Sequence, residues 1–266
     1  MRFRTLTRCF TVAAVVACLA LISAAPPPPS PAANGVKNIV LVHGAFVDGS
    51  GWKPVYEILI KDGYHVALVQ EPLTSLEEDV AATNRVLELQ NGPCVLVAHS
   101  YGGTVITEAG THAKVAALVY IAAHQPDVGE TEAGNGKRFP ALAKPPVKTP
   151  DGFTYLDPAR FHEDFCADLP AEQAEFMARS QVFASAKVFT TPVQDPAWKT
   201  KPSWTMVAMA DRIINPDLER MYARRAGSHT VEVEGASHSV YQSRPKEVAA
   251  LIADAARHKG GSAAQE

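Results

Sequence analysis

The sequence predicts an α/β domain with about six mostly parallel strands in one sheet, helices on both faces and one inserted segment. Three observations lead there. From Lys37 onward, short apolar runs alternate with longer stretches of helical period. The short runs are continuously apolar rather than alternating, as in strands buried on both faces of a parallel sheet. One excursion, His124 to Pro202, separates two strand-like runs and is too long for a plain loop.

The elements follow in order. Asn38 to His43 is an apolar run closed by Gly44. Ser50 to Asp62 carries Trp52, Val55, Leu59 and Ile60 at helical spacing and stops at Gly63. His65 to Gln70 is a second strand; Ser75 to Gln90 is a helix with Ser75 as N-cap and Gly92 beyond its end. Cys94 to Ala98 is a strand, Thr104 to His112 a helix, and Val115 to Ala123 a strand. After the excursion, which contains one helical stretch at Ala171 to Phe183, Trp204 to Ala210 is a strand. Pro216 to Ala226 is a helix capped by Asn215, with Pro216 in its first turn. Thr230 to Val233 and Pro245 to Arg257 supply the last strand and helix, which leaves 259–266 as a flexible tail.

Upstream of this domain the chain reads as an export leader. Arg2, Arg4 and Arg8 precede the apolar run Thr11 to Ile22, and Ser23-Ala24-Ala25 offers small residues for cleavage. An uncleaved anchor and a lipid-modified Cys18 are the alternatives. Residues 26–36, largely proline at first, form an extended linker. The expected product is exported, periplasmic or secreted, with no stable membrane association after cleavage. The chain has a net charge of −3 and no basic stripe, which argues against nucleic-acid binding. Cys94 and Cys166 remain after cleavage. They fall toward opposite ends of the domain, so both are expected to be free thiols. No clustered Cys/His spacing points to a metal.

The chemistry-bearing residues gather at the strand ends. Ala98-His99-Ser100-Tyr101-Gly102-Gly103 joins a strand to a helix through a tight turn, with the small residues Ala98 and Gly102 two before and two after Ser100. That is the setting of a nucleophilic serine. A serine needs a base to take its proton, and His238 follows the last strand in Gly235-Ala236-Ser237-His238. His229 precedes that strand and stands at the wrong end. His43 is expected to support the turn after the first strand, and His99 to point away from the serine. A base needs a carboxylate to fix its tautomer. Asp211 directly follows a strand and is the first choice; Asp127, past Gln125-Pro126, is the second. The backbone N–H groups of Ala45 and Tyr101 form the expected oxyanion hole. Phe46 and Trp52 are the candidate pocket residues, followed by the Tyr101, Phe153 and Tyr155 rings.

With these motifs in place the chain resembles the α/β-hydrolase superfamily, and within it the methylesterase/hydroxynitrile lyase-like group and its bacterial relatives. The matching stretches are Val42 to Phe46 with Gly51-Trp52, His99 to Gly103, Val119 to Ala123, Pro202-Ser203-Trp204, Asp211-Arg212 and Ser237-His238. The resemblance implies a six-stranded core, a small cap over an apolar pocket and no cofactor. It also implies that a lyase would carry Lys after the catalytic histidine and Thr after the first-strand histidine, where this chain has Ser239 and Gly44. The expected function is hydrolysis of a small carboxylic ester through an acyl-enzyme, by a monomer or homodimer. An amidase or lactonase, a hydroxynitrile lyase-like enzyme and a non-catalytic binding protein of the same fold are the alternatives.

Overall fold

The structure, a computed structural model, describes residues 35–258. The leader, nearly all of the linker and the tail 259–266 lie outside the described residues. Nine strands and nine α-helices occur within them. The strands are β1 (Asn38–Val42), β2 (His65–Leu68), β3 (Cys94–Ser100), β4 (Val115–Ala123), β5 (Val147–Lys148), β6 (Phe153–Tyr155), β7 (Ala184–Ser185), β8 (Ser203–Ala208) and β9 (His229–Val233). The helices are α1 (Lys53–Lys61), α2 (Leu76–Glu88), α3 (Gly102–Ala109), α4 (Glu132–Arg138), α5 (Pro158–Phe165), α6 (Ala171–Arg179), α7 (Pro216–Ala226), α8 (Val240–Ser243) and α9 (Pro245–Arg257).

Six strands form one sheet in the order β2-β1-β3-β4-β8-β9, with every neighbouring pair parallel. β1, β3, β4 and β8 lie in the interior, which explains their unbroken apolar runs: with helices above and below, both pleat faces exclude water. Edge strand β9 is largely exposed and correspondingly polar. One core, built on Ile39, Leu41, Val95, Val97 and Trp204, packs against α1 and α9. The other, on Val40, Leu96, Leu118 and Tyr120, packs against α2 and α3, and Ala226 of α7 joins it.

Local chemistry sets the helix ends. Ser75 accepts the Glu78 N–H and caps α2. Asn215 accepts the Asp217 N–H, Pro216 occupies the first turn of α7, and Gly227 closes that helix at φ 63°. Most predicted boundaries shift by one to four residues, and two of these shifts bear on the site. β3 runs two residues further than expected and carries Ser100 as its last residue. β8 ends at Ala208, although the Met209 and Ala210 amides still bond to the Val233 and Ala236 carbonyls.

The stretch between β4 and β8 is more structured than one helix. It contains α4, a small antiparallel sheet β5-β6-β7, α5 and α6. These strands are only two or three residues long, too short for a period-two pattern to register. The segment is fastened to the sheet edge: the Ser185 N–H bonds to Leu73 O, and the Ser239 N–H to Phe165 O.

Candidate active site

All parallel strands point their C-terminal ends at one edge, so the turns after β1, β3, β4, β8 and β9 converge there. β3 delivers Ser100 at φ 55°, in the left-handed region that non-glycine residues rarely occupy. The turn persists because its surroundings leave no room for another path. A Cβ on Gly102 would stand 2.4 Å from His43 O, and one on Gly103 would stand 2.1 Å from His124 O. These close approaches press the start of α3 against β1 and β4 and project the Ser100 side chain at the edge. The Ser100 carbonyl is tied down by the His124 N–H at 3.1 Å.

The turn after β9 brings His238 to the same edge, where it is fully buried. Its Nδ1 lies 2.6 Å from Asp211 Oδ2. Asp211 Oδ1 meanwhile accepts the Ile213 and Ile214 N–H groups at 2.7 and 2.9 Å. That pattern makes Nδ1 the protonated nitrogen and leaves the Nε2 lone pair free. Among the described residues, Nε2 is buried and has no hydrogen-bond partner. Asp127 sits elsewhere, in an ion pair with Lys199 and accepting the Val128 N–H. His229 stacks on Trp204 with ring centroids 4.8 Å apart, at the other end of the strands.

Both loops carrying this pair are anchored to the inserted segment. Arg212 donates to Asp164 Oδ1 at 3.0 Å, the Ser237 hydroxyl donates to Asp168, and the Phe165 ring meets the His238 ring at 4.8 Å. His99 corrects the sequence reading in part. It leaves β3 on the opposite face from Ser100 but turns toward His238, with Nε2 2.9 Å from His238 O and ring centroids 4.5 Å apart. Burial holds its pKa well below the usual histidine range, so it is a neutral backing for the His238 loop.

The turn after β1 lies directly against the serine, since a Cβ on Gly44 would come within 2.7 Å of Ser100 Cβ. His43 fixes this turn. Its Nδ1 donates to Gly44 O at 2.8 Å, and its Nε2 accepts the Glu71 N–H at 2.9 Å. Burial lowers the His43 pKa, which keeps that neutral tautomer in place. The chain then reverses at Phe46, at φ 69°. Neither the Ala45 nor the Tyr101 N–H has an acceptor among the described residues. The Tyr101 side chain is directed elsewhere, its hydroxyl donating to Asp79 Oδ2 at 2.7 Å.

An apolar cavity of about 420 Å³ opens beside this edge. Phe46, Leu156, Phe189 and Ile213 line it together with Pro140, Pro145 and Pro146; His124 and Glu132 supply polar groups. Phe189, from the inserted segment, stacks on Phe46 at 5.8 Å. A smaller cleft of about 180 Å³ lies on the other side of Phe46, against Phe176 and Met177. Trp52 belongs to neither. It is fully buried under the opposite face of the sheet, where its indole N–H donates to Val42 O and its ring tilts against Tyr241. Its place in the helical stripe marked it as core as much as pocket. Tyr155 lies on β6, stacked on Phe183 at 4.9 Å, and neither it nor Phe153 lines these cavities. Phe189 escaped the sequence reading because nothing in an irregular stretch shows which way a ring faces. Among the described residues no group of three His, Cys, Asp or Glu side chains is arranged to hold a metal ion.

A model of the alpha/beta hydrolase family matches residues 39–251. The chain belongs to that family. At this coarse level it is a hydrolase, and its relatives fill in the neighbourhood. It is 27% identical over 200 residues to a probable hydrolase, R7, of a Phoma species, a match covering 70% of this chain and 80% of the relative. It is 26% identical over 252 residues to the pyrethroid hydrolase of Sphingobium wenxiniae, covering 82% and 87%. Among solved structures, polyneuridine aldehyde esterase superposes with a TM-score of 0.71 at 17% identity, covering 82% of this chain and 98% of that one. Methylesterase MES16 of Arabidopsis superposes with a TM-score of 0.68 at 19% identity, covering 83% of this chain and 98% of that one.

Proposed function

We propose that this chain is an exported serine hydrolase that cleaves a small carboxylic ester through an acyl-enzyme. One observation carries the reading. His238 presents a buried, unpartnered Nε2 at the edge where Ser100 is held at φ 55°, while its Nδ1 is bound by Asp211 at 2.6 Å.

Ser100 Oγ attacks the ester carbonyl carbon as His238 Nε2 takes its proton. Asp211 holds the imidazole in the required tautomer and stabilises the imidazolium that forms. The carbonyl oxygen becomes an anion and accepts from the Ala45 and Tyr101 N–H groups, whose donors are otherwise unused. The tetrahedral species then collapses, the alcohol leaves with the proton from His238, and the acyl group stays on Ser100. Water then attacks the acyl carbon as His238 takes its proton, the bond to Ser100 Oγ breaks, and Oγ regains the proton from His238 as the acid is released.

The apolar cavity beside the site supports an ester with an alkyl or aryl group. Ser239, fully buried with an unpartnered hydroxyl, offers no cation for a departing cyanide, which favours hydrolysis over cyanohydrin cleavage. Export rests on the leader-like residues 1–25. The enzyme acts on a small-molecule ester, with no nucleic-acid partner and no stable membrane association after cleavage, as a monomer or homodimer.

Rapid mixing with p-nitrophenyl esters of different acyl length tests the reading. The expected result is a burst of p-nitrophenol that titrates the enzyme and disappears in Ser100→Ala. A protein that turns over amides or lactones but no open-chain ester overturns the assignment.

A further inference from the structure

We propose that Glu219 is a positioning residue for the catalytic acid: as a neutral carboxylic acid, it donates a hydrogen bond to Asp211. The inference rests on the triad reading above.

Glu219 lies on the inner face of α7, fully buried, among Leu218, Tyr222 and Ala223. A carboxyl there is costly unless every polar atom finds a partner. Its Oε2 accepts the Ala208 N–H at 3.3 Å, from the end of the strand that leads to Asp211. Its Oε1 has no donor among the described residues. Asp211 belongs to the same turn, its N–H bonded to the Ala208 carbonyl at 3.1 Å; its charge acts on Glu219 ahead of that of Arg220. The Arg220 guanidinium is turned outward, bound by Glu232 and Asp217.

Two adjacent buried carboxyls cannot both be ionised cheaply. The proton goes where the negative charge is less well solvated. Asp211 receives two backbone N–H groups and the His238 N–H; Glu219 receives one long backbone contact. Glu219 therefore holds the proton. Burial first, and the Asp211 charge second, raise its pKa well above the ordinary carboxylate range. With the proton on Oε1, the one unpartnered atom becomes a donor to Asp211. No proton moves during turnover; the bond fixes the rotation of the Asp211 carboxylate and moderates its basicity toward His238.

The test uses three variants of the full enzyme on one activated ester, with folding checked by circular dichroism. Glu219→Gln keeps an acceptor for Ala208 and a donor for Asp211, so kcat stays within about threefold of wild type and the acid limb of the pH profile of kcat/KM stays in place. Glu219→Met fills the volume without a donor. Its kcat falls about tenfold to a hundredfold, the usual weight of a hydrogen bond to a charged group, with KM little changed. Its acid limb moves to higher pH, because an Asp211 relieved of a donor holds the imidazolium more tightly. In an Asp211→Asn background, Glu219→Met has no further effect on kcat, whereas a residue that merely supported the fold would cost the same in both backgrounds. Equal damage from Gln and Met, or a folded Met variant with wild-type kcat, overturns the proposal. Should the Met variant fold poorly, a Gln variant with a depressed kcat or a shifted acid limb overturns it alone. If Asp211→Asn by itself leaves kcat near wild type, it is the triad reading that has failed, and the assignment to Glu219 falls with it.

Discussion

Replacing Gly44 with alanine tests how closely the turn after β1 must approach the nucleophile. The new Cβ would stand 2.7 Å from Ser100 Cβ, 3.0 Å from His99 O and 3.1 Å from His99 Nδ1, all on buried residues with little freedom to yield. Carbon atoms settle at roughly 3.5–4.0 Å, so the turn must retreat by about 1 Å. Ala45 is the next residue, and its N–H retreats with it. A donor that belongs 2.7–3.1 Å from the oxyanion then sits at about 4 Å, beyond a useful hydrogen bond. Losing one such donor costs about 10²–10³ in kcat, or about 2.7–4 kcal/mol. KM changes little, because the contact strengthens only as the oxyanion forms. Overpacking also costs about 1–3 kcal/mol of stability, which in a domain of this size lowers Tm by about 2–12 °C. The assay is steady-state hydrolysis of p-nitrophenyl acetate beside a melting curve. Gly92→Ala is the control, since a Cβ there meets only Asn38 Nδ2 at 3.7 Å, an ordinary contact away from the cavity. A folded Gly44→Ala enzyme with kcat within threefold of wild type refutes the placement of the Ala45 amide.

Asp211→Asn should lose about 10⁴ in kcat because the histidine takes the wrong tautomer. Asp127→Asn, which breaks only a surface ion pair with Lys199, should stay near wild type; steady-state kinetics on one ester separates them. Cys94 and Cys166 are buried and unpaired, their thiols pushed by burial to about 11 and about 12. A chain starting at Gly35 should therefore give no fast reaction with a thiol reagent when native and two thiols in denaturant. Burial raises the Glu132 carboxyl to about 8, so the folded state binds a proton that the unfolded chain releases near 4.5. The stability this group contributes is present below pH 4.5 and lost as pH rises to about 8. Melting curves should show Glu132→Gln gaining on wild type between pH 5 and 8; a constant difference contradicts the sign.

Most of the central sheet was legible because its strands are buried on both faces and flanked by helices of clear period. Val115 to Ala123 needs no tertiary information to be read as an interior strand. Ser100, Asp211 and His238 were legible as candidates for a related reason: in a parallel sheet, chemistry collects where strands end, and the sequence shows which residues follow strands. What it does not show is direction. Trp52 and Val55 share a stripe, and only the packed structure tells that Trp52 faces Val42 and Tyr241 rather than ligand. His99 was judged by strand alternation, which is right about Ser100 but silent about a loop 139 residues away. Glu219 carried a faint signal, a charged residue in line with Leu218 and Tyr222 on the buried face of a helix. Its meaning depends on Asp211 lying opposite. The small strands β5 to β7 pair only with one another and leave no periodic trace.

The central claim is that Ser100 is the nucleophile and that His238 and Asp211 activate it. Labelling with a fluorophosphonate tests this most directly, because the reagent captures an activated serine without requiring knowledge of the substrate. Intact mass and peptide mapping should find one adduct per chain, on Ser100. The adduct should be absent in Ser100→Ala and form far more slowly in His238→Ala. A folded protein that takes up no label, or takes it up on another residue, contradicts the account.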